Sequence, residues 1–158
     1  MPLPKPTPTE DEAKFIDRCM SDAKMNEDFP SEMQRYAVCI GQFENTKQAQ
    51  YLAQETFTDY PMAATNNAKR ALKWREETGN PRGCGTPVGW ARANQLAKRE
   101  PISFDVVKRM AAFIRHEQYS NVPYEEGCGG LSYDLWGGAA GVNWAIRKVK
   151  SLTNDTER

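Results

Sequence analysis

Apolar residues recur at helical spacing along most of the chain, and no alternating run of useful length predicts a strand. The clearest pattern places Val107, Met110, Ala111 and Ile114 at positions i, i+3, i+4 and i+7 of a helix expected over residues 104–117. This spacing predicts that Met110 and Ile114 are buried. Similar patterns elsewhere in the chain predict an all-α fold.

A second helix pattern precedes this one and begins at Thr86 and Pro87. Threonine is a favoured N-cap, and proline at the first helical position loses only an amide that would have no partner in the helix. Because few residues separate the two helices, segment 86–117 is similar to a helix-turn-helix unit.

The front of the chain predicts an acidic hairpin of two helices over residues 10–44. Thr9 and Ser31 each begin a capping-box pattern, in which a hydroxyl residue is followed three positions later by Glu or Gln. We expect the second helix of this hairpin to pack through one apolar face. That face contains Met33, Tyr36, Ala37 and Ile40.

Changes in composition divide the rest of the chain. Residues 1–9 alternate with proline and predict a flexible arm, whereas the polar residues 45–60 predict a linker. Residues 61–152 predict a domain of four or five helices, and the polar residues 153–158 predict a frayed tail.

Glycine and threonine mark helix limits within this rear domain. We expect Thr65 to cap a helix that ends at Gly79, because glycine just beyond a helix is a common stop. The last helix is expected to begin at Ser132 and to loosen at Gly137 and Gly138, since glycine inside a helix costs roughly 1 kcal/mol.

Charge is unevenly distributed, although the formal net charge of the whole chain is zero. Residues 1–60 carry six basic and eleven acidic side chains, whereas residues 61–118 carry eleven basic and five acidic ones. If the second central helix entered a DNA major groove, basic side chains would contact phosphates or bases. The candidates for nucleic-acid or partner contact are Arg92, Lys98, Arg99, Lys108, Arg109 and Arg115. Simple solvation of an outer helix face is the alternative, and a zero net charge gives no general attraction to a polyanion.

No apolar run is long enough for a membrane span, and the N-terminal residues lack the apolar core of a secretory signal. We therefore expect a cytoplasmic protein with reduced thiols and no membrane partner. The cysteines form two candidate thiol pairs, Cys19 with Cys39 and Cys84 with Cys128. Cys84 and Cys128 each lie between two glycines, which give backbone freedom and exposure, so a disulfide between them is an alternative. For the first pair, two small buried apolar side chains are the simpler interpretation.

His116 is the one histidine of the chain and ends the second central helix, where capping or packing is its simplest role. With Cys84 or Cys128 it could form a Cys–His nucleophile pair or contribute to a zinc site. These residues lack the close cysteine spacing of most zinc sites. We expect no cofactor and no metal, and we favour a protein without enzymatic activity.

Trp136 has two interpretations. A large aromatic side chain among apolar neighbours is most simply part of the core. Exposed beside Gly137 and Gly138, it would instead anchor a partner.

Three motifs resemble a domain found in proteins of tailed bacteriophages and prophages. They are NNAKRALKWRE, TPVGWARANQLAKREPISFDVVKRMAAFIRHE and LSYDLWGGAAGVNWA, which together span residues 66–145. The front segment FIDRCMSDAKMNEDFPSEMQRYAVC separately resembles a short cysteine-containing phage segment. Both resemble segments associated with phage head-maturation proteases. The chain departs from the pattern at Ala139, where Asp is usual, and at Cys84 and Cys128, where no cysteine is expected. The resemblance implies a viral context and an all-helical fold, without a mechanism.

These observations favour a non-enzymatic bacteriophage protein that acts as a binding or structural module in head assembly or in the virion. The partners implied are phage structural proteins, and the location implied is the host cytoplasm during assembly and then the virion. A DNA-binding protein that uses segment 86–117 is the alternative, with nucleic acid as the less favoured partner.

Overall fold

The structure is a computed structural model that describes residues 2–154. It confirms the predicted all-α fold, since these residues form eight α-helices, one 3₁₀ helix and two short strands. The α-helices are α1 (Glu12–Ser21), α2 (Ala23–Asp28), α3 (Glu32–Gln54), α4 (Met62–Thr78), α5 (Pro87–Ala97), α6 (Phe104–Ala112), α7 (Gly129–Leu135) and α8 (Gly138–Asn154). The 3₁₀ helix spans Phe113–Tyr119, and β1 (Thr56–Phe57) pairs antiparallel with β2 (Ile102–Ser103). Within this range, no helix is both long and apolar enough to cross a membrane.

The chain divides into two compact units between Ala53 and Gln54, at the end of α3. We call them the front unit and the rear unit. Where we expected a linker over residues 45–60, α3 continues as a helix to Gln54. Its Lys, Gln, Ala and Leu residues are good helix formers, so the polar composition of this stretch does not interrupt the helix.

A small core and a disulfide hold the front unit together. Phe15, Cys19, Met25 and Cys39 are fully buried, and the two cysteines are bonded to each other. This bond joins α1 to α3, whereas we expected reduced thiols that only pack. Met25 lies on α2, a short helix that the sequence pattern did not predict.

The N-terminal arm packs on the front unit where we expected a flexible segment. Pro6 is buried, and Leu3 contacts the front core. Arg18 holds the arm in place, because its Nη2 donates to the carbonyl of Lys5 at 2.9 Å and pairs with Glu10 at 2.8 Å. At the other end of the chain, Thr153 continues α8, and residues 155–158 of the predicted tail lie outside the described residues.

The face of α3 that we expected to be buried is largely exposed. Met33 is 82% exposed and Tyr36 is 50% exposed. The helix is instead rotated so that Cys39, with Val38 and Phe43 beside it, faces the front core. The disulfide to α1 fixes this rotation, and it therefore overrides the apolar spacing of α3.

The rear unit contains the larger core, where α6 packs on α8 and α4 packs on α5. Thr65 does not cap α4, because the helix begins three residues earlier, at Met62. Its buried hydroxyl donates to the carbonyl of Leu96 at 2.9 Å and accepts from Nη1 of Arg99 at 2.9 Å. The helix ends as predicted at Gly79, which has the left-handed φ of 74°.

The two central helices begin where local signals predicted. Thr86 caps α5 by accepting a hydrogen bond from the Gly89 amide, and the Ser103 hydroxyl caps α6. The predicted helix over 104–117 is too long, because α6 ends at Ala112 and the 3₁₀ helix follows.

This change of helix type explains why Ile114 is not buried as we expected. Val107 and Met110 are fully buried as expected, but Ile114 is 37% exposed. A 3₁₀ helix has about three residues per turn instead of 3.6, so positions beyond Ala112 leave the apolar face of α6.

The last predicted helix is two helices, α7 and α8, separated at Trp136 and Gly137. Gly137 and Gly138 have φ values of 93° and 63°, which side-chain-bearing residues rarely adopt. A Cβ atom on Gly138 would also lie 2.4 Å from Nδ2 of Asn67. The glycines therefore allow the turn that brings α8 against α4.

Replacing the buried Met110 tests the packing of α6. We expect Met110→Ala to lower the free energy of unfolding of the rear unit by about 2–5 kcal/mol, whereas Ile114→Ala should change it by less than about 1 kcal/mol. All four tryptophans follow Gln54, so urea unfolding monitored by tryptophan fluorescence reports on this unit. Equal losses for the two variants would contradict the assignment of the buried face.

A second prediction concerns acid and the arm. The hydrogen bond from Arg18 lowers the pKa of Glu10 from 4.5 to about 2. Because the folded pKa lies below the unfolded value, the pair stabilises the front unit above pH 4.5, and this contribution is lost as the pH falls toward 2. NMR titration of the side-chain carboxyl should therefore give a midpoint near 2 for Glu10. The Arg18→Gln variant should move that midpoint upward, and an unchanged value would contradict the role of Arg18.

Candidate binding cleft

The rear unit contains a surface cleft of about 410 Å³ between α4, the loop before α7, and α7 itself. We call it the rear cleft. Its floor is partly aromatic, and its rim carries charges of both signs. The lining residues are Arg70, Lys73, Trp74, Glu77, Ser120, Asn121, Val122, Pro123, Tyr124, Glu125 and Asp134.

A buried carboxylate organises one side of the rear cleft. Asp134 on α7 is only 8% exposed, and its Oδ2 accepts a hydrogen bond from Nη2 of Arg70 at 2.9 Å. The hydroxyl of Tyr124 donates to the same oxygen. Asn67 extends this network, because its Oδ1 accepts from Arg70 at 3.2 Å and its Nδ2 donates to the carbonyl of Gly137 at 2.9 Å. One network thus connects α4, the loop and α7.

The same network moves the pKa values of two cleft residues further above neutral pH. Burial and the hydrogen bond with Asp134 raise the pKa of Tyr124 above its usual value. The hydrogen bonds with Tyr124 and Asp134 raise the pKa of Arg70. Tyr124 therefore stays a neutral phenol and Arg70 a cation at neutral pH, so the pair suits binding better than proton transfer at that pH.

The aromatic floor is formed by Trp74 and Tyr124. Their rings meet edge to face, with centroids 5.6 Å apart. Both are partly buried and pack against the rear core, while Val122 and Pro123 add apolar surface beside them. Tryptophan, tyrosine and arginine are the residues that most often dominate binding energy at interfaces.

The loop that forms one wall of the rear cleft is anchored toward its C-terminal end. Cys128 is bonded to Cys84, and the Arg82 guanidinium donates to the carbonyl of Glu125. The loop also lies very close to α7, since a Cβ on Gly130 would lie 2.1 Å from the carbonyl oxygen of Val122. Glycine in this position therefore permits the contact that shapes the wall.

The two cysteines of this bond have different surroundings. Cys84 is 2% exposed, and the side chain of Asn80 holds its backbone by accepting from the amide at 3.0 Å and donating to the carbonyl at 2.9 Å. Cys128 is exposed. The bond thus attaches a surface loop to a fixed point of the rear unit.

Two of the six basic candidates have internal roles. Arg92 is 8% exposed, lies over the ring of Trp136 at 5.4 Å, and donates to Oε1 of Gln95. Burial lowers the pKa of its guanidinium. Arg99 donates to the carbonyls of Thr58 and Tyr60 at 3.0 and 2.8 Å. Both side chains therefore have hydrogen-bond partners within the rear unit.

The other four basic candidates are exposed, and one of them pairs with a carboxylate. Arg109 pairs with Asp105 at 3.2 Å, and Lys108 lies 5.2 Å from the centre of the Phe104 ring. Arg115 donates to Nε2 of His116 at 3.3 Å. Lys98 lies at the C-terminal end of α5.

Trp136 and His116 contribute to packing. Trp136 is 8% exposed and stacks on Phe113 at 5.1 Å, so the interpretation of an exposed anchor is wrong. The centre of the His116 ring lies 4.8 Å from the centre of the same Phe113 ring.

Because Cys84 and Cys128 are bonded to each other, neither is a free thiolate for a Cys–His pair or a zinc site. Among the described residues, no group of three or more His, Cys, Asp or Glu side chains is placed to hold a metal.

Comparisons with known proteins identify no relative. No family model, curated protein or solved structure matches this chain.

The residues of the rear cleft were missed by the sequence analysis. Arg70 lies 54 positions before Tyr124 and 64 positions before Asp134, so no local pattern in the sequence places these side chains together. One local signal was present, because Asp134 is an acidic residue in a largely apolar stretch and would need a polar partner if it were buried there.

Opening the Cys84–Cys128 bond should loosen the loop of the rear cleft. The bond joins two residues that are 44 positions apart. Because it limits the freedom of the unfolded chain, such a bond stabilises the folded state by roughly 4 kcal/mol. We expect Cys128→Ser to destabilise the rear unit and to speed amide exchange at residues 120–127. Hydrogen exchange measured by mass spectrometry checks this.

Cys39→Ser provides the control, since it removes the other disulfide and should leave exchange in residues 120–127 unchanged. Unchanged exchange of this loop in Cys128→Ser would contradict the role given to the bond.

Proposed function

We propose that this protein is a non-enzymatic binding module of a tailed bacteriophage, which attaches to a phage structural protein through the rear cleft. The observation that carries the proposal is the cleft itself, with Trp74 and Tyr124 as its floor and Arg70 at its rim. The phage context rests on the resemblance of residues 66–145 and of the front segment to phage domains.

The shape and chemistry of the rear cleft suit a protein segment. A volume of about 410 Å³ accommodates one large side chain and part of its backbone. An apolar or aromatic side chain would lie against Trp74. Backbone amides and carbonyls of the segment would meet the polar rim, which includes Lys73 and Asn121. This arrangement has the apolar centre and polar edge of a protein interface.

The disulfides support a location in the particle. Two bonds join all four cysteines, and such bonds persist in oxidising surroundings, including virion surfaces. A protein that begins in the host cytoplasm and leaves the cell within a released particle would meet that condition.

The DNA-binding alternative has less support than the sequence suggested. It requires basic side chains that are free to contact phosphates, and Arg92 and Arg99 are engaged inside the rear unit. The exposed Arg109 has a carboxylate partner in Asp105.

Photo-crosslinking from the rear cleft tests the proposed function. A benzophenone amino acid replaces Asn121 in the cleft or, as a control, Glu76, which is exposed on α4 outside the lining. In cells producing particles, we expect position 121 alone to crosslink to a phage structural protein identified by mass spectrometry. Lys73→Glu should reduce this product, because it alters the rim while leaving the core intact.

Three outcomes would overturn the proposal. They are equal crosslinking from both positions, crosslinking to a host protein only, and salt-sensitive nanomolar binding of duplex DNA in fluorescence anisotropy titrations. The last outcome would instead favour the DNA-binding alternative.

A further inference from the structure

The front unit presents an apolar groove with an acidic edge. The groove has a volume of about 470 Å³ and lies between α1 and α3. We call it the front groove. Its lining residues are Glu12, Ala13, Ile16, Asp17 and Tyr36.

The apolar part of the front groove continues along α3. Tyr36 is 50% exposed, and Met33, one helical turn earlier on the same side, is 82% exposed. Exposed apolar side chains that occur singly are ordinary, but a groove bordered by several of them is typical of an interaction surface. Methionine adapts its shape to different partners, which suits this use.

The charged part of the front groove has one sign. Glu12 and Asp17 line it, and Glu32 is exposed beside Met33 on α3. None of these three carboxylates forms an ion pair with another described residue, whereas Asp11 pairs with Lys14 and Glu10 with Arg18. The surface therefore presents carboxylates that are not neutralised within the front unit.

We propose that the front groove binds a basic amphipathic helix of a partner protein. Apolar side chains of that helix would lie between Ile16 and Tyr36 and reach Met33. Its lysine or arginine side chains would pair with Glu12, Asp17 and Glu32. Helices that lie in apolar grooves use anchors at i, i+3, i+4 and i+7, and complementary charge sets their orientation.

This proposal is independent of the rear cleft. The protein would have two binding surfaces, one on each unit. Failure of either proposal leaves the other untouched, because no residue is shared between the two surfaces.

A designed peptide tests the proposal directly. The probe is a fluorescein-labelled peptide of about 16 residues, with leucines at helical spacing and lysines on the remaining positions, long enough to form a helix. A second peptide replaces every lysine with glutamate, and a third keeps the composition of the first but scrambles the order. We expect the full-length protein to bind the first peptide at least about tenfold more tightly than the other two in anisotropy titrations.

Matched variants locate the binding site. We expect Met33→Ser to weaken binding about tenfold, whereas Met62→Ser, which changes an exposed methionine of the rear unit, should have no effect. Replacing Glu12 with Gln and Asp17 with Asn should weaken binding and reduce its dependence on salt. The same change at Glu76 and Glu126, exposed acids of the rear unit, provides the charge control. Circular dichroism confirms that each variant remains folded.

Four results would overturn the proposal. They are equal binding of the lysine and glutamate peptides, equal binding of the scrambled peptide, unchanged affinity in Met33→Ser, and no binding up to about 1 mM peptide. Sedimentation velocity provides a further test. If the protein is a dimer that becomes a monomer in Met33→Ser, a second copy of this chain covers the groove and the proposal of a basic helix is wrong.

Discussion

The carboxylate of Asp134 is the interaction on which the rear cleft depends. A carboxylate taken out of water costs several kcal/mol unless hydrogen bonds and an opposite charge compensate for it. Arg70 and Tyr124 provide that compensation from two other parts of the chain. If α4, the loop or α7 moved away, a buried charge would lose its partner. The Asp134 network therefore holds Tyr124, one of the two rings of the aromatic floor, in place without a partner.

Local signals predicted those parts of the fold that are determined locally. The cap at Thr86 and the stop at Gly79 depend on hydrogen bonds or backbone angles within a few residues, and both lie where the sequence placed them. The rotation of α3 depends on a bond between Cys19 and Cys39. Its apolar spacing could not predict that bond, so the wrong face was expected to be buried.

Candidate site residues were harder to predict, because a charged side chain in the sequence gives no information about its partners. Arg99 contacts Thr58, Tyr60 and Thr65, which lie more than 30 positions earlier. Its left-handed backbone, with φ of 58°, turns the chain toward them. Arg92 likewise lies over Trp136. Only the folded arrangement distinguishes these structural arginines from the exposed Lys108 and Arg115.

The placement of the two disulfides also has a consequence for biosynthesis. Four cysteines allow three pairings, but a ribosome releases the chain from its N-terminus. Cys19 and Cys39 emerge first and belong to one unit, so the front unit can bring them together before Cys84 emerges. Cys84 then waits for the 44 residues that lead to Cys128. The order of emergence thus favours the native pairing over the two alternatives, whether oxidation takes place during synthesis or after folding.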